Sequence, residues 1–134
     1  MQPTRPPKKI RKRLREFASL AYERELNREL DALAIEFKRW RRRELTPWDL
    51  SERIHAFHQS PARDLFVLYR DLDEGMAVGR ALAGGMLEEK EIPADVLAHV
   101  ASAFEYYRPS PDDARHEAVE EGSSDEEVDQ PVTT

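Results

Sequence analysis

From Lys8 to about Glu44 the chain runs without Gly or Pro, and its apolar residues recur at steps of three and four. They are Ile10, Leu14, Phe17, Ala21 or Tyr22, Leu26, Leu30, Leu33, Phe37 and Trp40. That period predicts a single amphipathic helix, roughly 50 Å long at about 1.5 Å per residue. Leu26, Leu30, Leu33, Phe37 and Trp40 follow 4-3-4-3 spacing and form one stripe. The earlier apolar set is offset from that stripe at the step into Leu26. The interruption breaks a strict heptad and favours packing in a short bundle over a long coiled coil. A domain of about 100 residues has a radius of gyration near 13 Å, so part of such a helix must project, pair with another chain or fray. The basic start is the part expected to do so, with Ile10, Leu14 and Phe17 as its contact with a partner helix.

Shorter helices follow. Thr46-Pro47-Trp48-Asp49 supplies an N-cap, Pro at the first helical position and an acid at the third; Ser60-Pro61-Ala62-Arg63-Asp64 repeats the arrangement. The first signal opens a helix over about 47–58 burying Leu50, Ile54 and Phe57. The second opens one over about 61–71 with Leu65, Leu68, Tyr69 and Leu72, and with Phe66 on a flanking face. A further helix begins near Asp73 and carries Met76, Val78, Ala81 and Leu82, with Gly79 allowing close approach of a neighbour and Gly84-Gly85 closing it. After the polar turn Glu88-Glu89-Lys90-Glu91, Ile92-Pro93 introduces a helix over about 93–107 with Leu97, Val100, Phe104 and Tyr107 on one face. No stretch alternates with period two. The expectation is an all-α fold in which a long N-terminal helix packs against three to four short helices, with Leu30 and Phe37 in the core. Residues 1–9 are expected as a disordered basic, Pro-rich head, 10–108 as the helical domain and 109–134 as a disordered acidic tail.

Composition narrows the chemistry. The chain of 134 residues holds no cysteine, which removes disulfides, thiolate metal sites and Cys nucleophiles. Its start leads into charge, unlike a signal peptide, and no apolar run reaches the ~20 residues of a membrane span; a cytoplasmic location is expected. The net charge of −6 conceals a polarity. Arg5, Lys8, Lys9, Arg11, Lys12, Arg13 and Arg15 meet no acid in the first fifteen residues. From Ser110 onward, Asp112, Asp113, Glu117, Glu120, Glu121, Asp125, Glu126, Glu127 and Asp129 face only Arg115. Each end would serve as an interaction arm.

Among candidate sites the basic run ranks first. Lys8, Lys9, Arg11, Lys12, Arg13 and Arg15 would neutralise several phosphates in a salt-sensitive, largely sequence-independent way, or meet an acidic partner. Arg39, Arg41, Arg42 and Arg43 make a second cluster along the same helix, with Trp40 among them as a base-stacking candidate. Glu52, His55 and His58 fall at i, i+3 and i+6, which would set three metal-ligand side chains on adjacent turns. A Glu-x-x-His pair is half of what a di-iron carboxylate bundle uses, and no second such pair occurs. The stretch Arg53-Ile54-His55-Ala56-Phe57-His58 resembles the Arg/His motif of HEPN ribonucleases, a family of small all-helical domains. Over these six residues the resemblance implies Arg53 as a phosphate clamp and His58 as a catalytic acid or base.

These features rank binding above catalysis, and the sequence implies no cofactor. The leading expectation is a small intracellular helical interaction module, an accessory or regulatory subunit that binds a protein partner, or a second copy of itself, through its projecting first helix. The alternative is a nucleic-acid-binding regulator of antitoxin-like arrangement using the basic start. The remotest is the HEPN-like ribonuclease.

Overall fold

The computed structural model describes residues 6–109. The head residues 1–5 and the tail from Ser110 onward lie outside the described residues, so the expectation of disorder there falls outside them too. Five α-helices make up the described chain: α1 (Lys8–Arg41), α2 (Pro47–Phe57), α3 (Arg63–Asp71), α4 (Glu74–Ala83) and α5 (Ala94–Tyr107). A π-helical turn, His58–Ala62, joins α2 to α3, and a single 3-10 turn, Glu89–Glu91, precedes α5. The described residues contain no strand. The fold is all-α, a long N-terminal helix packed against shorter ones.

Helix α1 has 34 residues and is therefore about 50 Å long. It begins at Lys8, inside the segment assigned to the disordered head, because Pro7 fixes an extended entry and its carbonyl accepts from the amide of Arg11 at 3.0 Å. Lys38, Arg39 and Arg41 place cations in its last turn, where the helix dipole favours them. Arg43 then adopts φ 61°, and the chain reverses. Thr46 opens α2 as the sequence implies: its hydroxyl accepts from the amide of Asp49 at 3.1 Å, and the Asp49 carboxylate accepts from the amide of Thr46 at 2.9 Å.

Ser60-Pro61 does not start a new helix in the expected way. Pro61 lacks an N–H, and its ring would crowd the preceding turn of an α-helix. The backbone accommodates it in the wider π turn, with no side-chain cap, and runs on into α3. The segment α2–π turn–α3 thus behaves as one irregular rod running antiparallel to the second half of α1. Arg53 reaches Glu36 at 3.7 Å, and Tyr69 stacks on Tyr22 with ring centroids 4.9 Å apart.

The first half of α1 packs instead against α4 and α5. There Ile10, Leu14 and Ala21 join Val78, Ala81, Leu82, Leu87, Ile92, Val96 and Val100 in one buried cluster. Gly79 lies so close to α5 that an added methyl would strike Ala103 and the amide of Phe104. The buried side of α5 is Val96, Val100 and Ala103, rotated from the expected face; Leu97 and Phe104 only flank it. Gly85 closes α4 at φ 81°, and the amide of Met86 donates back to the Ala81 carbonyl at 2.8 Å.

Two expectations are corrected here. The basic start of α1 does not project, since Ile10 (8 % exposed) and Leu14 (4 %) belong to the core and Phe17 packs beside it. Leu30 (42 % exposed) and Phe37 (39 %) are not core residues. The physical reason is the shift in the apolar stripe near Ala21: α1 has two packing faces. Its first half is enclosed by two helices, whereas its second half meets a single rod and stands clear on the other sides.

Candidate functional site

The second half of α1 with α2, the π turn and α3 forms a helical hairpin. Two helices can bury only the seam between them. Between Leu26 and Met76 the one buried residue among those described is Leu50, at 7 % exposure. Leu30, Ile35, Phe37, Trp40, Trp48, Ile54 and Phe66 remain exposed.

The two flanks of this hairpin differ. At about 100° per residue, Tyr22, Leu26, Leu33 and Trp40 point the same way on α1, and the Tyr22–Tyr69 stack identifies that direction as the seam. Rotating one way from it on α1 gives Glu25 and Glu36. Glu36 pairs with Arg39 at 3.2 Å and with Arg53 of α2 at 3.7 Å, which defines a polar flank. Rotating the other way gives Leu30 and Phe37. On α2, Arg53 lies on the polar side of buried Leu50, so Ile54, on the other side, shares the flank of Leu30 and Phe37. On α3, Phe66 stands about 60° from the seam residue Tyr69 in that same sense. Leu30, Phe37, Ile54 and Phe66 therefore line one apolar flank, turned away from α4 and α5.

The polar flank is tied to the packed end of the molecule. Glu25, only 7 % exposed, accepts from the Tyr69 hydroxyl at 2.6 Å and from Arg80 of α4 at 3.1 and 3.2 Å. This triad pins α3 and α4 to α1. Burial, and then the hydrogen bond to Glu25, pushes the Tyr69 phenol well above its usual range. A second clamp joins Arg24 to Glu91 through two bonds, 2.9 and 2.6 Å, and to the Met86 carbonyl at 2.8 Å. The Arg24 guanidinium, helped by the amide of Glu88, holds the Glu91 carboxyl down at about 2.

The candidate residues read from the sequence fall in three places. Lys8, Lys9, Lys12, Arg13 and Arg15 are exposed and Arg11 is half-buried, all on the packed end of α1. Lys8, Arg11 and Arg15 line an open depression there with Glu74 of α4. Arg53 and His58 are not brought to one site: Arg53 turns to Glu36, while His58 borders a depression with Gln59, Ala62, Arg63 and Phe66. Glu52, His55 and His58 do not converge either; among the described residues no group of three His, Cys, Asp or Glu side chains is placed to hold a metal ion. The corner between α1 and α2 is a further depression, lined by Trp40, Arg41, Arg43, Glu44, Leu45, Thr46 and Pro47. No described helix is long and apolar enough to cross a membrane. Comparison with protein-family models, curated proteins and solved structures yields no match to this chain.

The apolar flank was only half legible. Its α1 residues stand in the stripe, but their exposure depends on how few helices reach that end. Ile54, expected among the buried residues of its helix, is instead 41 % exposed, and Phe66, expected on a flanking face, is 53 % exposed; that they share one flank follows from the rotation of α2 and α3 against α1.

Proposed function

We propose that the protein is a helical interaction module, an accessory or regulatory subunit that holds a protein partner on the apolar flank of its hairpin. The observation carrying this reading is that flank itself. Leu30, Phe37, Ile54 and Phe66 stand 39–53 % exposed around a seam that buries little. With aromatic side chains of about 200 Å² each, the exposed apolar area of these four is on the order of 300 Å². The largest apolar patch on a soluble monomer is commonly of about this size and is often functional, and a partner helix laid along the hairpin would turn two helices into a three- or four-helix bundle. The role differs from the expected one in its location: the free end of α1 is its second half.

Affinity capture from the source cells tests the reading. The full chain is compared with a Phe37→Glu/Phe66→Glu variant whose helicity by circular dichroism matches the parent. A defined protein retained by the parent and lost by the variant is the expected result. Equal capture by both, or none by either from a parent chain that is itself monomeric, would refute it.

A second reading is nucleic-acid binding. It is favoured by Trp40, Arg41 and Arg43 around one depression and Lys8, Arg11 and Arg15 around another, at the two ends of α1. Fluorescence anisotropy with single- and double-stranded oligonucleotides at low salt checks it, and absence of binding there excludes it.

A further inference from the structure

The hairpin flank has a charge pattern that selects one kind of occupant. Glu23 and Arg41 lie 18 residues apart on α1, which is five full turns, so they point in the same direction about 27 Å apart. That direction is the outer edge of the apolar flank, next to Leu30. Both residues are exposed, and among the described residues neither forms a salt bridge. Between them on the same edge stand Leu30 and Ala34. The edge is thus acidic at one end, apolar in the middle and basic at the other.

A surface with that order complements itself when reversed. Two α1 helices laid antiparallel about a two-fold axis near Ala32 set Glu23 of one copy opposite Arg41 of the other, twice. Leu30 of each then faces Ala34 of its mate, a large residue against a small one, which permits the 8–10 Å spacing of packed helices. The same two-fold brings Phe37, Ile54 and Phe66 of both hairpins toward one centre. A parallel arrangement would instead stack Arg41 on Arg41 and Glu23 on Glu23. The area agrees: a standard interface takes about 800 Å² from each partner, a little over half of it apolar. The roughly 300 Å² of the four flank side chains, extended by Ala34, supplies its centre. Isologous contact of this kind is the commonest form of assembly in soluble proteins.

We infer that the hairpin flank is the interface of an antiparallel homodimer, in which two copies close a four-helix bundle with Glu23 of each chain paired to Arg41 of the other. This rests on the interaction reading above and names its partner as a second copy of this chain.

Sedimentation velocity on the full chain, over a range of concentration, tests the inference together with four variants. The parent is expected to sediment as a dimer and Phe37→Glu as a folded monomer. Arg41→Glu and Glu23→Arg each set like charges together at two symmetric places, and each is expected to weaken the dimer by roughly tenfold or more, most strongly at low salt. The double variant Glu23→Arg/Arg41→Glu restores opposite pairing and is expected to recover most of the affinity. A parent that stays monomeric at high concentration overturns the inference, as does a dimer indifferent to Phe37→Glu. A double variant no tighter than its singles overturns the antiparallel register. A monomeric parent whose flank still captures a different protein overturns the second copy alone; a monomeric parent with no flank-dependent capture overturns the interaction reading as well.

Discussion

Gly79→Ala is the substitution for which two physical effects have opposite sign and comparable size. An alanine inside a helix is favoured over glycine by about 1 kcal/mol, so local propensity alone predicts a gain for α4. Tertiary packing opposes it. The added methyl would sit 2.8 Å from both the carbonyl carbon of Ala103 and the amide nitrogen of Phe104, and closer still to the Ala103 methyl. Carbon atoms prefer about 3.5–4.0 Å, so α4 and α5 must separate by roughly 1 Å. Two of the three close atoms are backbone, which no rotamer change can move. Opening that crossing loosens Val78, Leu82, Val96 and Val100, four members of the buried cluster. Overpacking of this kind costs about 1–3 kcal/mol, and a backbone clash belongs at the upper end. The net expectation after the propensity gain is destabilisation of about 1–2 kcal/mol, or roughly 5–15 °C in Tm for a domain of this size. Thermal unfolding followed by helical circular dichroism measures it. Gly75→Ala is the control: its methyl meets only the Asp73 side chain, at 3.2 Å, which can turn aside, so Tm should hold or rise. A Tm for Gly79→Ala equal to or above the parent would refute the close α4–α5 crossing.

The two halves of α1 should respond differently to truncation. Leu14→Ala, at a residue 4 % exposed in the cluster, is expected to cost about 2–5 kcal/mol. Ile35→Ala, at 56 % exposure, should change urea-unfolding stability by less than about 0.5 kcal/mol. The Arg24–Glu91 clamp carries a pH dependence. The Glu91 carboxyl lies at about 2 in the folded chain against an ordinary 4.5, so its contribution is present in full above about 4.5. It fades as pH falls toward 2, because the unfolded chain takes up the proton first. The stability advantage of the parent over Glu91→Gln, followed by urea unfolding at stepped pH, should therefore shrink across that window; an advantage independent of pH would show that the clamp does not form.

Helix-forming information in this chain is mostly local. The uninterrupted stretch after Pro7, the Thr46–Asp49 capping box and Gly85 at the end of α4 lie where neighbouring residues alone decide the backbone, and each is legible from the sequence. The π turn at Pro61 was not, because a Ser-Pro pair looks the same whether it starts a helix or is absorbed into a wider turn of one that continues. The candidate site was legible only in part. The offset of the apolar stripe near Ala21 showed that α1 has two faces, but not which of them would be enclosed. Ile10 and Leu14 carry the same pattern as Leu30 and Phe37. Their burial came from the arrival of α4 and α5 at the first half of α1, which Gly79 and the Glu25–Tyr69–Arg80 triad fix in place. The sequence by itself determined the helices and the stripes they present, because helix period and capping act over a few residues. Only the tertiary structure decided which stripe is core and which is free surface, because burial depends on how many other helices reach it.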